Sequence, residues 1–357
     1  MSKRSMRREA FSYNNLLQLY RGSPEQELTD EDRYVIFSDL HMGTGKGSDD
    51  FLNNSGMFIA VLRDYYLPRG YKLILNGDVE ELQRFRMPRI KERWQEVYEL
   101  FEEFERRNGF TRIVGNHDLY HLSGELLEKP VLEGLRFRYP SGELFIFHGH
   151  QASKRYEKYN HWVAFCLKYL ATPLRIRNYS VSHDSRKRFK TERRVYDFAS
   201  DQKIISIIGH THRPLFESMS KRDSITFEIE RLVRKYPKYK ERKQVKIEEK
   251  VNYLKQELYH LVEQNPQAAE TDSLYRESLV VPCMFNSGCV LGKRGMTNLE
   301  IEAGKMRLSY WYDANRPQKY LQYRNREREQ LDGSPYQRVI INEDTLEYIF
   351  SKIRLLA

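Results

Sequence analysis

The chain has 357 residues, with 60 Lys+Arg against 50 Asp+Glu and a formal net charge of +10. Its 40% hydrophobic and 13% aromatic content exclude wholesale disorder, and its length fits one large α/β domain, residues 1–357, with insertions. No run approaches the roughly 18 apolar residues that cross a bilayer, the basic N-terminus lacks a secretory apolar stretch, and Cys166, Cys283 and Cys289 form no CxxC pair, so a reducing cytoplasmic location is expected.

In chain order, residues 1–30 read as a polar lead-in with a short helix around Asn14 to Tyr20. Tyr34 to Phe37 is an apolar run that stops at Ser38-Asp39. Phe51 to Leu67 is helix-periodic and closes at Pro68-Arg69-Gly70. Lys72 to Leu75 is a second apolar run, ending at Asn76-Gly77-Asp78. Arg89 to Arg107 places Trp94, Val97, Leu100, Phe101 and Phe104 on one helical stripe, with Asn108-Gly109 as its stop. Phe110 to Val114 ends at Gly115-Asn116-His117-Asp118. Leu135 to Tyr139 and Leu144 to Phe147 read as strands, the second ending at His148-Gly149-His150. A basic helical stretch runs to about Asp201, and Lys203 to Ile208 is a strand ending at Gly209-His210-Thr211-His212. After a charged helical insertion at 217–277 the chain returns to β at Ser278 to Phe285, stops at Asn286-Ser287-Gly288, and forms a hairpin from Thr297 to Trp311 around Ala303-Gly304. Gln337 to Ile341 is a last strand, and a terminal helix starts at Glu343.

Strands alternating with helices predict an α/β sheet core. Almost every predicted strand ends in Asp, Asn or His within a glycine-containing turn, and strand C-terminal ends are where such sheets gather ligand-binding groups. Any one of these turns is unremarkable, because Asn and Asp cap helices and histidines are commonly structural. Five in order, each ending an apolar run, point to a metal site. Carboxylates, imidazoles and one amide carbonyl without thiolate suit Mn²⁺, Fe or Zn²⁺, and they exceed what one ion requires. Asp78 is the natural bridge between two ions.

The blocks Asp39-Leu40-His41, Gly77-Asp78, Gly115-Asn116-His117-Asp118, His148 and Gly209-His210-Thr211-His212 resemble the calcineurin-like metallophosphoesterase superfamily. The likeness covers about 33 to 215, and Asn286-Ser287-Gly288 resembles the family's later strand-end turn. It implies a four-layer αββα sandwich with a dinuclear site along one edge. It places Asp39, His41, Asp78 and His212 on a first divalent metal, with Asp78, Asn116, His148 and His210 on a second; manganese is expected first, with iron or zinc as alternatives. His150 ranks below His148. His117 is expected beside the scissile phosphate, oriented by Asp118 and assisting the leaving group, while a metal-activated hydroxide attacks phosphorus in line.

Specificity then falls to the segments outside the core. Residues 151–200 carry 12 Lys+Arg against 4 Asp+Glu with aromatics interleaved. They read either as a cap over the site or as a face packed on the sandwich with solvated charges. This basic insertion between the fourth and fifth blocks, and the string Gly209 to Pro214, are similar to the UDP-2,3-diacylglucosamine pyrophosphatases of lipid A synthesis, where such a cap holds acyl chains at the membrane surface. That family has Arg where this chain has His117, which favours a general phosphoesterase over the lipid reading. Residues 221–257 carry 12 Lys+Arg and 7 Asp+Glu. The phosphate-ester substrate is the expected partner, and the basic insertions add contact with anionic lipid at the membrane periphery or with nucleic acid, the latter resting on charge and family analogy alone.

Overall fold

The hydrophobic residues of the central strands alternate between two cores, and that alternation organises the molecule. The structure is a computed structural model describing residues 3–47, 49–123, 131–153, 185–216, 225, 229, 232, 233, 236, 241–263, 281–292, 295–316 and 327–357. Its first half runs α1 (Lys3–Gly22), β1 (Glu25–Glu27), β2 (Arg33–Phe37), α2 (Ser55–Ala60), β3 (Lys72–Asn76), α3 (Met87–Arg93), α4 (Gln95–Arg107), β4 (Phe110–Ile113), β5 (Gly134–Tyr139) and β6 (Gly142–Phe147). Its second half runs α5 (Ser185–Gln202), β7 (Ile205–Ile208), α6 (Glu241–Glu263), β8 (Met284–Asn286), β9 (Gly295–Glu302), β10 (Lys305–Asp313), β11 (Arg328–Gln330), β12 (Tyr336–Thr345) and α7 (Leu346–Leu356).

The strands form a five-stranded sheet, β1-β5-β6-β7-β8, and a seven-stranded sheet, β11-β12-β10-β9-β2-β3-β4. Side chains along a strand point to opposite faces in turn. Tyr34, Ile36 and Ile74 therefore join Phe137, Leu144 and Ile207 in one core, while Val35, Phe37, Leu73 and Leu75 join Phe58, Phe101 and Phe104 of α2 and α4 in the other. On the far side of the five-stranded sheet, α1 and α5 contribute Leu16, Val195 and Phe198. This is the expected αββα layering. The parallel strands β2, β3 and β4 end on one edge, as do β6, β7 and β8, which pair in parallel. Among the described residues no helix is long and apolar enough to cross a membrane.

Several boundaries differ from the sequence reading. The lead-in folds as the long helix α1 and then β1, whose polar residues Glu25 to Glu27 are exposed and pair with β5. The helix expected over Phe51 to Leu67 divides into a tight turn at Asp50–Asn53, α2, and a wide helical turn at Val61–Tyr66. The Arg89 to Arg107 stripe breaks at Trp94, whose backbone leaves the helical region (φ −114°, ψ 31°) while its indole donates to Gly43 O. Helix α5 runs to Gln202, so β7 begins at Ile205, later than expected. The terminal helix begins at Leu346, because Asn342 to Thr345 pair with β10 and Thr345 caps the helix through Tyr348 N. Of the basic insertion at 151–200 read as a cap or a packed face, residues 154–184 lie outside the described residues, as does most of 217–240.

Candidate metal centre

The loops that leave β2, β3, β4, β6 and β7 converge at one edge of the two sheets, and their backbones are unusual. Asp39 (φ 54°), His41 (48°), Asp78 (53°), His210 (63°) and His212 (55°) all adopt left-handed conformations, as do two other non-glycine residues among those described, Lys203 and Ala303. Such a residue costs roughly 1–3 kcal/mol and persists where its surroundings over-determine it. The surroundings here do so. Asp39 N bonds Gly77 O, His41 N bonds Asp78 O, and His210 N donates to Asp39 Oδ2 at 2.9 Å. Gly209 permits the approach: a Cβ there would lie 2.6 Å from Ser38 Oγ and 2.7 Å from Asp39 Oδ2.

What this backbone achieves is the convergence of donor atoms. Asp39 Oδ1 lies 3.0 Å from His212 Nε2 and 3.9 Å from His41 Nε2, and the two ring nitrogens are 3.3 Å apart. On the other side of Asp78, His148 Nε2 approaches Asp78 Oδ2 to 3.1 Å, and His41 Nε2 lies 3.7 Å from the same oxygen. Donors each about 2.0–2.2 Å from one cation are separated by about 3–4 Å, so these spacings fit bound ions. Asp39, His41 and His212 form one group of mutually close ligand atoms, and Asp78, His148 and His210 form a second. Asp39 Oδ1, His148 Nε2 and Asn116 Oδ1 are buried without a hydrogen-bond partner, the condition that a cation would relieve. His117 forms a further close group with His41 and Asp78. His150 is buried beside His148, at a ring separation of 5.5 Å, but belongs to none of the three groups.

Partners behind these residues fix which nitrogen faces the site. His148 Nδ1 donates to Asn76 O at 2.7 Å, which leaves Nε2 as the donor atom toward a metal. His41 Nδ1 bonds Glu81 Oε2 at 3.1 Å. Burial alone would lower the His148 imidazole, but Asp78 and Asp39 outweigh it and raise its pKa to about 10; burial prevails at His210, which falls to about 3. The Asp78 and Asp39 carboxylates thus make this edge attractive to a cation, while burial keeps His210 neutral.

Sequence reasoning missed Glu81 and misassigned Asp118. The carboxylate against His117 Nδ1, at 2.9 Å, is that of Glu81, which thus holds the rings of His41 and His117 together. Burial would raise Glu81, and the bonds from the two rings bring it down to about 2. Asp118 instead accepts from Gly115 N at 2.5 Å and Val79 N at 2.8 Å, shaping the turn before His117 without bonding its ring. The separation is geometric: adjacent side chains on this turn point apart, and Glu81 arrives from the loop after β3. The one available signal was the acidic pair Glu80-Glu81 directly after the Gly77-Asp78 turn. Glu80 is consumed elsewhere, by Arg112, His121 Nε2 and Tyr98 OH beneath the site.

The later strand-end turn braces the constellation. Asn286 Nδ2 donates to Gly209 O and to Thr211 Oγ1, both at 2.9 Å, and the Ser287 and Ser38 hydroxyls are 2.7 Å apart. Against known proteins, the family model described as calcineurin-like phosphoesterase matches residues 33–247, a span that contains every loop of the site. No curated protein matches the chain. With the two-sheet architecture and the paired ligand groups in place, that match, over more than half of the chain, makes it a member of the calcineurin-like phosphoesterase family, metal-dependent hydrolases of phosphoric esters with a dinuclear centre.

Proposed function

We propose that the chain hydrolyses a phosphate ester with two divalent cations, manganese first among them. Asp39, His41, Asp78 and His212 would hold one, and Asp78, Asn116, His148 and His210 the other. The observation that supports the reading is the convergence of carboxylate and imidazole atoms of Asp39, His41, His212, Asp78, His148 and His210 on one loop edge, with Asp39 Oδ1 and His148 Nε2 buried and without a hydrogen bond. Bound cations supply Lewis-acid activation of water and neutralise charge on the phosphoryl oxygens.

The remaining work belongs to the chain's own residues. Asp78 spans the two groups and orders the turn before the leaving-group side by accepting from His117 N at 2.7 Å. His117 lies at the more open side of the cluster, its side chain 12% exposed, with Nδ1 held by Glu81. Its Nε2 is then the atom that holds a proton for the departing oxygen. Glu81 keeps that ring in one tautomer and one orientation, so the proton transfer needs no rearrangement.

The test is turnover by metal-stripped protein resupplied with Mn²⁺, Fe²⁺ or Zn²⁺. Substrates are nitrophenyl phosphate, bis-nitrophenyl phosphate, a UDP-linked lipid pyrophosphate and single-stranded DNA. The last two probe the anionic-lipid and nucleic-acid contacts that the basic insertions suggest. Manganese-dependent hydrolysis of at least one ester is expected. Protein that holds two metal equivalents and turns over none of them would refute the reading.

A further inference from the structure

We propose that Glu192, on α5, is a positioning residue for the ligands His210 and His212, acting through Thr211; the inference rests on the phosphoesterase reading above. Glu192 is completely buried, and so is Thr211. Thr211 stands between two histidines that both adopt left-handed backbone. Its hydroxyl donates to Glu192 Oε1 at 2.8 Å and accepts from Asn286 Nδ2 at 2.9 Å. The loop is therefore clamped from two directions, by a helix on one side and by the end of β8 on the other. Asn286 is itself fixed, since Gly288 N donates to its Oδ1 at 2.8 Å. Two residues further along α5 is a second grip, where Arg194 Nη1 donates to Ala152 O at 2.9 Å in the loop that follows His148.

A carboxylate inside the protein costs desolvation that an apolar side chain at the same position would not. The neighbours on this face of α5, Val195 and Phe198, are apolar and fully buried. What the carboxylate supplies is direction. It fixes the hydroxyl between two strained ligands, and Arg213, just beyond His212, lies 3.8 Å from its other oxygen. Because His210 and His212 serve different ions in the proposed assignment, loosening Thr211 should weaken both, unlike removal of a ligand that serves one.

The test measures Mn²⁺ binding to full-length wild type, Glu192→Ala, Glu192→Gln and Thr211→Val by chelator competition, alongside kcat, KM and thermal unfolding of the metal-free proteins. Glu192→Ala and Thr211→Val should each lose about 10–100-fold in affinity for both equivalents. Glu192→Gln should bind like wild type, because its amide oxygen still accepts from Thr211. If Glu192→Ala fails to fold, Thr211→Val, which keeps the side-chain shape, decides the matter. Unchanged affinity in the folded Ala and Val variants overturns the proposal alone, and so does a Gln variant as weak as the Ala variant. Wild type that binds none of Mn²⁺, Fe²⁺ and Zn²⁺ in the same competition overturns the phosphoesterase reading and this proposal with it.

Discussion

Two clusters of buried charge, one in the loops where both sheets meet and one on the seven-stranded sheet, are built in opposite ways. In the first, Asp39, Asp78, His41, His210 and His212 crowd a loop edge on left-handed backbone around His148, and Asp39 Oδ1 and His148 Nε2 make no hydrogen bond. In the second, Glu300 of β9 meets Arg338 of β12 on ordinary strands. Glu300 accepts from Tyr66 OH at 2.6 Å and from Arg338 Nε at 3.0 Å, and Arg338 also reaches Glu329 at 3.0 Å. The Tyr66 hydroxyl is saturated in turn by Trp311 Nε1 and Asn298 Nδ2. Burial of charge is common to both. Left-handed backbone and convergent carboxylate and imidazole atoms mark the first and not the second, and these are the signs of a site prepared for a cation.

The contrast breaks first at Asp78. Asp78→Ala should abolish turnover and lower bound metal from two equivalents toward one or none, measured by elemental analysis; an active variant with two equivalents would remove the distinction. Next is His117→Ala, which should keep its metal and lose roughly 10²–10⁴ in turnover, less on nitrophenyl esters with good leaving groups. Equal losses on good and poor leaving groups would count against proton donation. In the second cluster, Glu300→Ala should cost about 3–5 kcal/mol of stability by leaving Arg338 with only the exposed Glu329 as its partner. Its metal content and its turnover per folded molecule should match wild type; denaturant unfolding and metal analysis together check this.

The smallest expected effect concerns pH. Burial would raise Glu300, but Arg338 holds its carboxyl below the usual carboxylate range. A group with a depressed native pKa binds its proton more readily when unfolded. Its stabilisation is therefore present above the ordinary carboxylate pKa of about 4.3 and lost as pH falls through the native value. The denaturant midpoint of wild type should drop on acidification below about pH 4.5. Replacing the pair together, Glu300→Leu with Arg338→Met, should make that drop shallower.

Much of the site is legible in sequence because apolar runs stop abruptly at polar residues. Val35 to Phe37 and Leu73 to Leu75 are buried on both faces, so their ends are unmistakable. What escapes is whatever tertiary pairing decides. β1 exists only because Glu25 to Glu27 align with Arg136 to Arg138 of β5. Glu343 favours a helix by local preference, yet it is held in β12 by Lys305 and Arg307 across the strand. The partner of His117 escaped for a similar reason. Asp118 is next to it in sequence, but Glu81 is next to it in space.

The position of β9 has a consequence for synthesis. It pairs antiparallel with β2 and joins the N-terminal parallel strands to the C-terminal meander. β2 ends at Phe37 and β9 begins at Gly295, so about 260 residues must emerge between them, which takes roughly 13–50 s at typical elongation rates. Throughout that interval the apolar edge Tyr34 to Phe37 waits on the nascent chain without its neighbour, open to the wrong strand. Nascent chains halted just before Gly295 should therefore need a holding chaperone, and chains halted beyond Asp313 should need it less, as judged by chaperone crosslinking to stalled ribosomes.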